Sequence, residues 1–368
     1  MQNYALGRRG FVVGLICFGA MPLVKAASPS MESSIGLRAD WMRKRCGIMV
    51  HWLYPSYRDV DRWVDAFDVQ AFLADFKATG ADWLIFTAGQ CRGAHASPNA
   101  TFERLCGPGH TPRRDLVMEI ARGVKEQGRR FVLYTPAEFA KDGCDDHSMQ
   151  RGLCWDTAQP DRREFERRWS SVLKEWSLRL GDLCDGWWLD GCYRHNYPAG
   201  LDWSVWLAAC RAGNPQAAVA FNGGANRPQE PWGPSDYFAG EISTLDVIEG
   251  VAAHMLPRTD AVRHYLFPID GYWGAYWPWP KDGWAKTESM QRERPELFDK
   301  AAMDTLMAER RFPDPAYGAD RLCRFAKVAA ATDAGLTLNV GISPEGRLNP
   351  KSIALVSQVV NCLRREEK

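Results

Sequence analysis

The chemistry in this chain of 368 residues concentrates first in GWWLDGCY, residues 186–193. Its opening residues read as a short buried strand, and a carboxylate, Asp190, stands at the strand's end. Gly191 lets the chain turn away at once. A carboxylate in that place serves as nucleophile, base, metal ligand or helix cap. The following CYRHNYPAG has no helical pattern, which weakens the capping reading. No set of oxygen or nitrogen ligands gathers near Asp190 in the sequence, so no metal is expected. Other polar residues close apolar runs in the same way: His51 and Trp52, Thr87 to Arg92, Tyr134 to Glu138, Asn222, Glu241, Asp270 and Asn339. Tyr134, His51 and Asn222 are candidate donors to an ionised Asp190.

Those residues need elements to hold them. Apolar runs suitable for strands occur at 46–52, 81–89, 130–136, 186–190, 217–224, 236–243, 264–270 and 336–342. Helical patterns lie between most of them. Val69, Phe72, Leu73 and Phe76 share one face of a helix over 68–79, and further helices are expected from Asp115, over 163–180, 202–212, 298–311 and 320–332, and from about Pro350. Eight strands alternating with helices predict an α/β fold, a single (β/α)8 barrel whose active site lies at the strands' C-terminal ends. An open doubly wound sheet competes, but HWLYPSYRD lacks the Gly-rich phosphate turn that such sheets carry after the first strand. No second domain, repeat or linker stands out.

The first 27 residues read as a signal peptide outside that fold. They combine a basic start, an apolar run from Phe11 to Val24, and Ala26 and Ala27 as a cleavage site. Arg8-Arg9 suggests the twin-arginine route and export to a bacterial periplasm or beyond. The run is short for a membrane span. Cleavage would change 46 basic and 45 acidic residues to 43 and 45, which leaves no basic footprint for nucleic acid. Ten of the eleven cysteines would remain, an even number that suits disulfides in an exported chain. Cys91 with Cys106 and Cys144 with Cys154 are candidate loop staples, although spacing does not fix pairing.

Taken in order, the motifs resemble those of the retaining α-L-fucosidases and their divergent relatives, over nearly all of residues 28–368. RKRCGIMVHWLYPS resembles the family's first-strand motif, and RRFVLYTPAEF its third-strand segment. CDGWWLDG is similar to the Trp-Phe-Asp-Gly motif whose aspartate is the nucleophile, and LTLNVGISPEGRLNP to the last-strand segment. GADWLIFTAGQCRG falls on a box that normally holds two adjacent histidines, yet Gly89 and Gln90 stand there. His95 would substitute only if its loop folds back. The β-sandwich that often follows the barrel is not expected.

The resemblance implies a glycoside hydrolase that needs no cofactor and acts on a glycan or glycoside. Asp190 would attack the anomeric carbon, and a second carboxyl about 5–5.5 Å away would protonate the leaving oxygen. Glu241 is the first candidate acid/base and Glu138 the second, with Glu230 and Glu249 further off. His51, Trp52, Gln90, Tyr134, Trp188 and Asn222 are candidate sugar contacts. The loop DGYWGAYWPWPKDGW (270–284) adds Trp273 and Trp277, which would stack on sugar faces or pack a lid. The competing readings are the same chemistry on a sugar other than fucose, an inactive glycan-binding barrel, and an envelope structural protein. Oligomeric state is not legible.

Overall fold

The computed structural model describes residues 37–53, 59–90, 94–139, 148–156, 158–226, 232–252, 260–270 and 311–366, with scattered positions between 254 and 309 that include Trp273. The expected signal segment, most of the expected helix over 298–311, and the loop residues around Trp277 lie outside the described residues.

Seven strands form one curled sheet: β1 Cys46–Val50, β2 Trp83–Thr87, β3 Arg130–Pro136, β4 Gly186–Asp190, β5 Ala218–Phe221, β6 His264–Pro268 and β7 Gly335–Asn339. Their order is β5-β4-β3-β2-β1-β7-β6, and every neighbouring pair is parallel. Parallel neighbours need crossovers, which the helices supply. Every residue of β1, β2, β6 and β7 is buried, as expected of parallel strands covered on both faces.

Alternation along the strands divides the core in two. Ile48, Leu84, Leu133 and Leu189 face the helices, and Met49, Trp83, Ile85, Val132, Tyr134 and Trp188 fill the inside of the curl. Trp83 is so close to Gly47 that a Cβ there would lie 2.2 Å from its ring. The Trp83 indole donates to Thr337 Oγ1 at 2.9 Å, and the same hydroxyl meets His264 Nε2 at 2.7 Å.

Three helices begin where the sequence places them, two of them with an aspartate cap. Asp68 accepts from Ala71 N at the start of Val69–Thr79, which ends at Gly80 with φ +69°. Asp115 accepts from Met118 N ahead of Leu116–Glu126. Helix Arg163–Leu180 buries Phe165, Trp169, Val172, Leu173 and Trp176 against the sheet.

The expected sixth strand, 236–243, is not a regular strand. Its segment meets the β6 side through two isolated bridges and β5 through hydrogen bonds alone. Phe238 N donates to Val262 O, Ile242 N to Leu266 O, and Asp236 N to Val219 O. On the β5 side, the Val219 and Phe221 N–H groups are taken by the side chains of Asp236 (2.8 Å) and Ser235 (3.1 Å). Side-chain acceptors thus replace the backbone carbonyls that a ladder would use. Gly240 has φ +69°, and a Cβ on it would lie 2.2 Å from the His264 carbonyl oxygen. Among the described residues the sheet therefore has seven strands and an irregular segment, where the sequence suggested eight strands.

A disulfide joins Cys323 to Cys362, linking helices Ala319–Ala331 and Pro350–Glu366. Each staple suggested by spacing has one cysteine, Cys91 or Cys144, outside the described residues. Cys46, Cys184, Cys192 and Cys210 are buried thiols.

Candidate active site

The ends of β3, β4 and β5 and the irregular segment gather three carboxyl groups. Asp190 closes β4 opposite Pro136 of β3, and its carbonyl accepts from Ala137 N at 2.5 Å. Gly191 turns the chain with φ +85°, and a Cβ there would lie 2.5 Å from the Glu138 side chain. Glycine is needed at 191 for both reasons.

Four donors surround the Asp190 carboxylate. Oδ1 accepts from Gly191 N at 2.9 Å, Tyr193 OH at 3.1 Å and Asn222 Nδ2 at 2.8 Å. Oδ2 accepts from Tyr134 OH alone, at 2.5 Å. Oδ1 is thus fully engaged, and Oδ2 keeps a free lone pair.

Asn222, buried at the end of β5, gives its side-chain amide nitrogen to both Asp190 Oδ1 and Glu241 Oε2. Two hydrogen bonds meeting at one nitrogen hold the two carboxyl oxygens within about 5–6 Å of each other, close to the spacing of a retaining pair. Burial, and then the Asp190 charge, push Glu241 up to about 8. Glu138 accepts from Asn196 Nδ2 at 2.5 Å, and the same two causes push it up to about 7. Asn196 also donates to Gly191 O at 2.8 Å, so it ties Glu138 to the turn beside Asp190.

His51 faces the inside, with Nδ1 at 2.8 Å from Asn339 Oδ1. With the Asn339 oxygen as acceptor, Nδ1 carries the proton and Nε2 is left as an acceptor. Burial lowers the His51 pKa, which suits the neutral ring. The ring meets Tyr134 edge-on at 5.2 Å and Trp273 at 5.6 Å.

Other candidates are placed elsewhere. Trp52, one residue on from His51, points to the helices. It packs on Phe67 and Phe86, donates to Pro344 O at 3.0 Å and has no exposed face for a sugar. Trp188 is likewise buried. It stacks under Tyr134 at 5.1 Å and donates to Ala239 O. Gln90 is partly buried just beyond β2. His95 does not fold back to the site. Its ring is fully buried among Trp176, Trp169 and Phe102, and burial pushes it down to about 3. Glu249 pairs with Arg321, while Glu230 and Trp277 lie outside the described residues. Asp270 is buried, binding Gly341 N, Asn349 Nδ2 and Ser352 Oγ. Tyr193 and Asn196 were not singled out from sequence. Their signal is position, three and six residues beyond Asp190 in a loop with no regular pattern.

A cavity of about 380 Å³ opens beside Glu241, lined also by residues 193–195 and 223–226.

No family model matches the chain, and no curated protein matches it. Solved structures do. Endo-fucoidan hydrolase MfFcnA9 from glycoside hydrolase family 107 superposes with a TM-score of 0.63 at 16% identity, over 92% of this chain and 65% of that one. Endo-fucoidan hydrolase MfFcnA4 of the same family gives 0.60 at 18%, over 90% and 54%. The alpha-L-fucosidase isoenzyme 1 from Paenibacillus thiaminolyticus gives 0.51 at 15%, over 89% and 75%. The chain spans roughly half to two thirds of the length of the two endo-fucoidan hydrolases. The fold is that of fucosidase-like glycoside hydrolases. At these identities the likeness concerns the fold.

Proposed function

We propose that this protein is an exported retaining glycoside hydrolase that uses Asp190 as nucleophile and Glu241 as acid/base. One observation carries the reading: a single amide nitrogen of Asn222 is shared by both carboxyls. That arrangement supports the reading, because it holds a carboxyl oxygen of Asp190 and one of Glu241 within about 5 Å, close to the spacing double displacement uses. Glu241 gives its proton to the glycosidic oxygen as Asp190 Oδ2 attacks the anomeric carbon. The C–O bond to the leaving group breaks, and a glycosyl ester forms on Asp190. Glu241, now ionised, takes a proton from water, whose oxygen attacks the same carbon and releases the sugar and Asp190. Gly191, Tyr193 and Asn222 hold Oδ1, which leaves Oδ2 to react. Export rests on the N-terminal sequence.

A sugar other than fucose is the second reading. Gly89 stands where the resembling family has histidine, and a Cβ there would lie 2.6 Å from the buried His95 ring. A side chain at 89 has no room.

The test is a panel of activated aryl glycosides, fucoside first, with purified protein and Asp190→Ala. Turnover that the variant abolishes, with the first-formed anomer retained by proton NMR, supports the reading. An inverted anomer removes the double displacement, and turnover unchanged in Asp190→Ala removes the nucleophile. Binding of glycans with no turnover of any glycoside favours the inactive barrel.

A further inference from the structure

We infer that the cavity beside Glu241 is a leaving-group subsite for a sugar bearing an anionic substituent, a carboxylate or a sulfate ester; this rests on the glycosidase reading above. The acid must touch the glycosidic oxygen, so whatever lies beyond that oxygen sits on Glu241's side. Glu241 lines the cavity and Asp190 does not, which is the arrangement of a subsite past the scissile bond. A volume of about 380 Å³ falls within the range of small-ligand sites. Gly223, Gly224 and Ala225 contribute almost no side chain to its wall, so the space stays open.

The charge comes from Arg194, which lines the cavity next to His195 on the loop after β4. Arg194 is exposed, and among the described residues it forms no ion pair. Its guanidinium lies over the Trp232 ring at 5.2 Å. Trp232 is itself seated by Gly223, where a Cβ would come within 2.8 Å of the indole, and by its bridge to Phe221. That contact places the Arg194 guanidinium beside the cavity, and among the described residues no carboxylate takes its N–H groups. An unpaired guanidinium suits the paired oxygens of a carboxylate or sulfate and gives a neutral hydroxyl less. The Tyr193 ring lies beside His195 at 5.4 Å, so the basic wall continues an aromatic one. Tyr193 also donates to Asp190, which ties this wall to the reacting centre.

Binding of matched monosaccharides tests the subsite without requiring turnover. Galactose, galacturonate and galactose 6-sulfate are titrated into the full-length mature protein, followed by calorimetry and by tryptophan fluorescence. The expected result is at least roughly tenfold tighter binding of one or both acidic sugars than of galactose, weakening with salt. Arg194→Gln should bring them to the galactose level. The tighter of the two acidic sugars identifies the anion. Equal affinity for all three sugars, or an acid preference that survives Arg194→Gln, overturns the inference. Aryl glycoside turnover is scored separately, so failure of the subsite and failure of the glycosidase reading are distinguishable.

Discussion

At the residue scale, the site depends on unequal treatment of like groups. Three carboxyls share one neighbourhood, and burial beside the Asp190 charge raises two of them, Glu241 to about 8 and Glu138 to about 7. A general acid must enter the reaction protonated. The glycosyl-transfer rate should therefore be full below neutrality and fall as pH rises through about 8, as Glu241 loses its proton. A pH profile of kcat/KM on a substrate with a poor leaving group checks this. Glu241→Gln should erase the alkaline limb and spare activated aryl glycosides more than natural linkages, and azide should restore activity only if Glu241 is the acid/base. A limb that disappears in Glu138→Gln instead transfers the role to Glu138. On the proposed mechanism Asn222 positions the two partners, since its amide reaches both. Asn222→Ala removes a charge-assisted hydrogen bond worth about 1.5–3 kcal/mol, so kcat should fall roughly 10–100-fold with KM little changed. Asn222→Asp should do worse, because it places another carboxyl between Asp190 and Glu241. A raised KM with kcat unchanged would assign Asn222 to substrate binding instead. Asp190 and Glu241 were legible in the sequence because each closes an apolar run. Tyr193 and Asn196 were not, because a loop has no period to show which way its side chains face.

At the element scale, the irregular segment after β5 carries Glu241 and depends on side chains for its place. Asp236 accepts from Val219 N at 2.8 Å and from Arg211 at 2.6 Å, where a regular strand would use its backbone. Asp236→Ala leaves a buried edge N–H unsatisfied and an arginine unpaired, and should cost about 2–4 kcal/mol by urea unfolding. A loss below about 0.5 kcal/mol would show that the segment holds itself. The alternating pattern in DYFAGEIS suggested a strand. Pattern reports which residues are buried, but it cannot report that Ser235 and Asp236 take the donors of β5. The same limit applies to Trp52 and Trp188. Sequence offered both as sugar contacts, Trp52 at a strand end and Trp188 within the strand before Asp190, while alternation turns Trp52 toward the helices and packing covers Trp188 with Tyr134. Asp270 is a second such device, clamping Gly341, Asn349 and Ser352 beyond β7. Burial raises it from 3.8 to about 6, so the folded state holds a proton that the unfolded chain releases. Its contribution to stability is full below about pH 4 and is lost as pH rises through 6. Unfolding free energies at pH 4 and 7 should differ less in Asp270→Asn than in the wild type.

At the scale of the molecule, the repeating alternation of apolar strand and amphipathic helix was enough to identify a parallel α/β fold with its polar residues at one end. Helices 69–79 and 116–126 follow directly from periodicity and their aspartate caps, and helix 163–180 from periodicity alone. Long-range pairing of cysteines is different. Periodicity is local, and the disulfide that forms, Cys323–Cys362, joins residues 39 apart on two helices. Both helices pack outside the sheet, and helix 350–366 also packs on helix 69–79. The bond therefore fastens the last helices to the layer that supports β1 and β7 without touching Asp190, Glu241 or Asn222. Closing a loop of that length restricts the unfolded chain by about 3–4 kcal/mol on the chain-entropy account. Cys323→Ser with Cys362→Ser should lower the unfolding free energy by that order, lower the midpoint in urea and steepen the slope, because the unlinked unfolded chain exposes more surface. Turnover of the activated glycoside at 25 °C should stay at the wild-type value, since the folded population remains dominant. If turnover falls together with stability, the last helices are part of the active-site framework and the support runs through β7 and Asn339 to His51.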